Sequence, residues 1–338
     1  MKITADLNKV LISSAVAALG LIGYFVIWWN HEIVIQKKPP QEELRSVSSL
    51  TGLPCNTTTR RPMAVMLASD PVARPLSGIS QADVVVEMPV TPGPNEVTRM
   101  MAVFQCNEPP RIGSIRSARN DFIPLVAGFD AIYAHWGGES AALERLNSKV
   151  LDNVDALKYE GTTFYREQGI PRPHNGFTTL ELLRDRAVAL GYSNSSTFAG
   201  YGHRTGTAKR NVSTIAEIFE VPYAGPYRVR WEYDQSAKMY KRYRDGSPEL
   251  DSTNGQQARA GAIVVVKTTA DTIRNEYLDL RLGGQGEAIL YQEGVKFNIL
   301  WKKDPAQLSS MLLFFDSQGK EMFFAPGPLW IEVVVVTA

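Results

Sequence analysis

The chain has 338 residues, of which 44% are hydrophobic and 21% charged, a composition that fits a folded globular protein of about two domains and excludes a disordered or low-complexity one. Lys and Arg number 36 against 35 Asp and Glu, a formal net charge of +1, so no overall field marks nucleic acid as a partner. Two cysteines are too few for a disulfide scaffold or a four-cysteine zinc site, and no His/Cys ligand spacing suggests a transition-metal centre, so neither a metal nor a cofactor is expected.

From Val10 to Asn30 no residue is charged, and LISSAVAALGLIGYFVIWW is almost wholly apolar. About 20 such residues cross roughly 30 Å of hydrocarbon as a helix. Trp28 and Trp29 stand at one end, where amphipathic rings favour the headgroup layer. Residues 1–30 therefore read as a short cytoplasmic tail and a single-pass signal-anchor. A cleaved signal peptide would be shorter and would end in a small-x-small site, whereas this run ends in Trp-Trp-Asn-His-Glu. A short tail stays inside while a long domain is translocated whatever its charge, which puts the soluble part on the extracytoplasmic side of the membrane. Residues 31–50, with Pro39-Pro40, read as a tether.

The fold class expected is α+β: an α/β domain over residues 51–205, then a smaller, mostly antiparallel β domain over 215–338. MAVMLA (63–68), DVVVEM (83–88), VTRMMAVFQ (97–105) and DAIYAHW (130–136) have the length and β-branched content of strands. SAALERLN (140–147) and TTLELLRDRAVALGY (178–192) carry apolar residues at helical spacing, the second closing on Gly191. After 215 the texture changes. YRVRWEY (227–233) and KMYKRYR (238–244) predict a hairpin whose basic residues form a solvated face over a core, or a surface turned to a polyanion. AGAIVVVKTT, AILYQ, KFNILW, MLLFF and WIEVVVV continue the strand pattern.

The polar residues concentrate in EPPRIGSIRSARNDFIPLVAGF (108–129), where Arg111, Arg116 and Arg119 fall within nine positions. Pro124 and Gly128 bracket a short helix beginning between Ser117 and Asp121, which would aim free N–H groups the same way as the arginines. Guanidinium groups at a positive helix end favour a carboxylate or phosphate; the other reading pairs them with Asp83, Asp121 or Glu87 as scaffold ion pairs. His135 ends a strand just before Gly137-Gly138, which would let a ligand approach the backbone. Arg172, His174 and Asn175 share the Pro-held turn GIPRPHNGF. Cys106 offers a Cys–His pairing with His135 or, in an oxidising compartment, a structural disulfide with Cys55. There is no G-x-S-x-G elbow and no H-E-x-x-H pair.

LTGLP (50–54), RRPMAVML (60–67), ARPLSGISQADVVVEMPV (73–90), RIGSIRSARNDFIPLVAGFDAIYAHWGG (111–138), RPHNGFTT (172–179), WEYDQSAKMYKRY (231–243), LGGQGEAILYQEG (282–294) and PGPLWIEV (326–333) resemble, in that order, the YerB-like family of bacterial lipoproteins, a family of unknown function. The resemblance implies a two-domain soluble portion at the outer face of a bacterial membrane and supplies no reaction or catalytic residues. Two departures stand out. Cys55 lies too far beyond the apolar run to carry a lipid, so a spanning helix takes the lipid's place; and Ala68-Ser69-Asp70 follows MAVML where a more Asn-like segment is expected.

Together these readings lead to an envelope protein that binds an anionic cell-wall ligand through Arg111, Arg116, Arg119, His135, Arg172, His174 and Asn175. A hydrolase or transferase acting on wall glycan or phosphopolymer, and a scaffold for membrane-protein assembly with a membrane protein as partner, are the rival readings; whether the chain is an enzyme stays open at this point.

Overall fold

The apolar run is helical at residues 18–26 and 28 in a computed structural model that describes residues 18–26, 28, 46–93, 96–204, 214–274 and 276–336. Leu19, Leu21, Ile22, Tyr24, Phe25, Val26 and Trp28 are all exposed on it. Among the described residues no helix is long and apolar enough to cross a membrane; the rest of the expected span and most of the expected tether lie outside the described residues. This segment belongs to one compact unit, Met1–Arg45, and the remainder of the chain to another, Ser46–Ala338.

In the larger unit, the earlier half contributes β1 (Met63–Ala68), β2 (Val84–Pro89), β3 (Thr98–Phe104), α1 (Ile123–Gly128), β4 (Ile132–His135), α2 (Ser140–Asn147), β5 (Asn153–Asp155) and α3 (Leu180–Ala189). The later half contributes β6 (Val229–Asp234), β7 (Met239–Arg244), β8 (Ala262–Thr268), β9 (Ala270–Ile273), β10 (Tyr277–Leu280), β11 (Gly284–Gln292), β12 (Val295–Lys303), β13 (Leu313–Phe315) and β14 (Leu329–Val335). Both halves feed one 11-stranded sheet of order β13-β12-β11-β8-β14-β2-β3-β1-β4-β5, with Thr214–Ile215 added beside β12. Strand β14 joins the halves, lying parallel to β8 on one side and to β2 on the other. The later half is thus antiparallel except at β14, and the whole is a mixed α/β fold with mostly β content.

Strands buried on both faces need unbroken apolar runs, and β1, β2 and β3 are buried along their full length. Alternation sends Ala64, Met66, Val84, Val86, Met101 and Val103 to a core shared with α1 and α2. Met63, Val65, Leu67, Val85, Met100 and Phe104 go to a second core with α3 and the β6–β7 hairpin. Trp231 of the hairpin meets Trp330 of β14 edge-on, ring centroids 5.2 Å apart.

The hairpin corrects the reading of a solvated basic face. Trp231 pairs with Arg242 and Val229 with Arg244, so these two arginines share the inward face and both are buried. Arg228, Arg230, Lys238 and Lys241 keep their exposure, so the solvated face holds for these four and is corrected for Arg242 and Arg244.

Candidate functional site

Strand β1 ends at Ala68, opposite Arg99 of β3, and Ser69-Asp70 carry the chain beyond it. The segment holding the predicted arginines runs along the same strand: the Arg116 N–H donates to the Met66 carbonyl at 2.9 Å and the Ala68 N–H to the Ser114 carbonyl at 3.0 Å. Onto this segment fold two others. Trp136 N–H donates to the Arg116 carbonyl, and Ile115 N–H to the Gly176 carbonyl, which brings the turn bearing His174 alongside. Gly176 makes that approach possible, because a Cβ there would lie 2.4 Å from the Trp136 ring. Arg99, Arg116 and His174 are thereby gathered near Asp70, with Arg119 beside Arg116, at the carboxyl end of β1, the place where sheets of this kind build sites.

The pairing is incomplete. Arg99 Nη1 donates to Asp70 Oδ2 at 3.0 Å, Tyr227 Oη donates to Asp70 Oδ1 at 3.3 Å, and His174 Nδ1 lies 3.9 Å from Asp70 Oδ2. Arg119 stacks over the Tyr277 ring at 5.0 Å and has its nearest carboxylate, Glu139, at 4.0 Å. The buried Nε atoms of Arg99, Arg116 and Arg119, the Ser114 hydroxyl and His174 Nδ1 have no hydrogen-bond partner among the described residues. Burial lowers the Arg116 guanidinium from its ordinary range, with Asp70 opposing and Arg119 adding to the shift. Burial lowers Arg99 likewise, to about 10, against Asp70 and with Arg116 and Arg119. His174 is pushed down by burial, then by Arg116 and Arg99 against Asp70. Three guanidinium groups therefore share Asp70 and a distant Glu139, a local excess of positive charge.

The other predicted residues go elsewhere. Arg111 is spent on the scaffold: it donates to Glu167 at 2.6 Å, to the Ser77 and Ser252 hydroxyls, and covers the Phe177 ring. His135 is fully buried. Its Nδ1 lies 2.8 Å from the Gly137 carbonyl, an acceptor only, and so donates there, while Nε2 faces Asn153 at 3.3 Å. Burial lowers its proton affinity, with Asp155 opposing. A ring so enclosed cannot reach a ligand, which removes it from the binding set and as an acid/base. Asn175 joins the Glu167 carbonyl to Arg166 and braces its own turn. Arg172 is exposed. Gly137 and Gly138 make room for protein and not for a ligand, since added Cβ atoms would meet Leu157 at 2.9 Å and Ala118 at 3.1 Å. The short helix α1 follows a 3₁₀ turn at Asn120–Phe122, and the Asn120 N–H is already taken by Glu139 at 2.6 Å. Cys55 and Cys106 are joined as a disulfide.

Asp70, Arg99 and Tyr227 were not among the predicted site residues. Arg99 had a signal: it is a lone charge inside the buried strand TRMMAVF, and a buried charge requires a partner.

A second charged group lies behind this one. Arg242 and Arg244 are enclosed with Glu87, Glu249 and Glu332. Glu87 and Glu332 are register neighbours on β2 and β14. Burial works against the Glu87 carboxylate, but Arg244 and Arg242 outweigh it and hold its proton affinity below the usual range. Glu332 is raised, by burial first, against Arg242, and it accepts from Tyr223 Oη and Trp231 Nε1, each at 3.1 Å. Thr98 bridges the two groups: its hydroxyl bonds Glu87 and, at 2.7 Å, Ser69.

The chain matches two family models, "Protein of unknown function (DUF3048) N-terminal domain" over residues 50–193 and "Protein of unknown function (DUF3048) C-terminal domain" over 219–331. A relative in Bacillus subtilis (strain 168) that bears the name "Putative lipoprotein YerB" is 31% identical over 301 residues, covering 87% of this chain and 88% of the relative. The crystal structure of YerB protein from Bacillus subtilis superposes with a TM-score of 0.74 at 29% identity, covering 86% of this chain and 96% of that one.

Proposed function

We propose, from the premise that this chain belongs to the DUF3048 family of unknown function, that it is a membrane-anchored extracytoplasmic binding protein whose Asp70 cluster recognises an anionic group on a cell-envelope ligand. One observation carries the reading: three neighbouring guanidinium groups have only Asp70, on Arg99, and Glu139, 4.0 Å from Arg119, as ion-pair partners, and their buried Nε atoms go without hydrogen-bond partners among the described residues. Leaving buried donors unmade costs about 1–3 kcal/mol each, and the half-buried Arg116 carries the same cluster's charge to the surface. The location rests on the uncharged run before residue 30, on the Cys55–Cys106 disulfide, which persists in oxidising compartments, and on the lipoprotein name of the Bacillus relative.

The test is retention of bacterial wall polymers by the full chain in non-ionic detergent, compared with Arg116→Ala. Each charge-assisted contact contributes on the order of 1.5–3 kcal/mol, so the variant loses at least tenfold in affinity with an unchanged circular dichroism spectrum. Equal retention by a folded variant would refute the assignment.

A further inference from the structure

Resting on the anion reading of the Asp70 cluster, we infer that the group it takes is a phosphoryl group that keeps a proton on one oxygen, and that Asp70 is the residue that reads this proton. Asp70 partners the buried Arg99, but a carboxylate there also repels any ligand anion that brings no proton to it. Asp70 stands between Arg99, His174 and the Tyr227 hydroxyl, with its side chain 17% exposed and so within reach of a ligand. Two carboxylate oxygens offer about four acceptor positions. The hydrogen bonds to Asp70 use one on Oδ1, from Tyr227, and one on Oδ2, from Arg99. Each oxygen keeps capacity for a further donor, and the ligand that uses it must bring an O–H.

The donors fit the same group. The Nε atoms of Arg99, Arg116 and Arg119 and the Ser114 hydroxyl have no partner among the described residues, and they come from two stretches of chain, β3 and the segment 114–119. A planar carboxylate presents two oxygens, which one guanidinium already satisfies bidentately. A phosphoryl group presents three, spread over a tetrahedral face. Sulfate has the shape of phosphate but no proton at neutral pH, so it meets Asp70 only by repulsion. A carboxylate ion and a phosphodiester lack the proton as well.

Isothermal titration of the full chain in non-ionic detergent at pH 6, where a phosphomonoester with its second pKa near 6 is about half protonated, separates these ligands. The probes are inorganic phosphate, glycerol 3-phosphate, dimethyl phosphate, sulfate and acetate. Inorganic phosphate or the monoester is expected to bind at least tenfold tighter than sulfate, the diester or acetate; the tighter of the two tells whether the group arrives free or at the end of a larger molecule. Asp70→Asn, whose amide can donate, is expected to bring the phosphate-to-sulfate ratio close to one. Sulfate or acetate binding as tightly as phosphate to the unaltered chain overturns the inference, and that comparison does not depend on any variant folding. If acetate or sulfate binds best and Arg116→Ala abolishes it, the anion reading survives and the phosphoryl reading falls; if none of the five binds, both fall.

Discussion

Arg242 and Arg244 stand among three glutamates, whereas Arg99, Arg116 and Arg119 share Asp70 and the more distant Glu139. The two groups touch through Thr98 and through Tyr227, whose carbonyl accepts from Arg244 at 3.0 Å and whose hydroxyl bonds Asp70. In the inner group the anions outnumber the cations and every charge is enclosed. In the outer group cations predominate, and Arg116 remains half-exposed. Residues of one chemical type thus divide into a set fully paired with carboxylates between the sheets and a set whose buried Nε atoms have no partner among the described residues. What separates them is the balance of counter-charge, not burial alone, since Arg99 is itself 4% exposed.

That contrast makes unequal demands on stability. Arg242→Met leaves Glu87, Glu249 and Glu332 with Arg244 as their sole remaining arginine, and breaking a buried ion pair from one side costs about 3–5 kcal/mol. Urea unfolding is expected to show a loss of that size, while Arg116→Met, which removes a partnerless buried Nε, changes stability by less than about 1 kcal/mol. Similar losses in both variants would erase the distinction. Thr98→Val sharpens it at the junction. The valine deprives Glu87 and Ser69 of one hydroxyl and is expected to cost about 1–3 kcal/mol, with the same measurement deciding.

Asp121 gives the most selective check, because it is a buried carboxyl with a second carboxyl for company. Burial, then Asp279 and Glu139, raise it to about 8 against a hydrogen bond from the Leu280 N–H. Its folded-state affinity for a proton exceeds the ordinary unfolded value of 3.8. The stabilisation from that proton is therefore complete below about pH 4 and is lost as pH rises through about 8. Between those limits unfolding free energy should fall by up to about 1.4 kcal/mol per pH unit. Asp121→Asn removes this part of the slope in thermal melts across pH 5 to 8; an unchanged slope would show that the proton is not held there.

Much of the fold was legible. The strands of the earlier half and the helix at 140–147 emerge where apolar period and length place them, because local pattern determines local structure. The partition of the arginines was not. Alternation along KMYKRYR assigns Tyr240, Arg242 and Arg244 to one face, yet only the hairpin register reveals that this face is shared with Trp231. Of the glutamates that make burial tolerable, Glu249 follows β7 closely, but Glu87 and Glu332 lie on β2 and β14, far away in sequence. Arg116, Arg119 and His174 were singled out from clustering and turn chemistry, and Asp70 was not, since β1 and β3 bring it to Arg99 only in the folded sheet. His135 was misjudged because its sequence context, a strand end before two glycines, looks the same whether the glycines admit a ligand or a neighbouring loop.

Strand β14 has a consequence for modularity. The two halves match separate family models, yet β14 from the later half completes the sheet of the earlier one at β2. A chain cut between Arg204 and Thr214 would leave each fragment with an unfinished edge whose missing neighbour is the other fragment. Neither half is therefore a self-contained module, whatever the boundary between the two family models suggests. For the same reason the halves cannot be exchanged freely among relatives: a transplanted later half must bring a β14 whose side chains fit β2 and whose glutamate meets the arginines of its own hairpin.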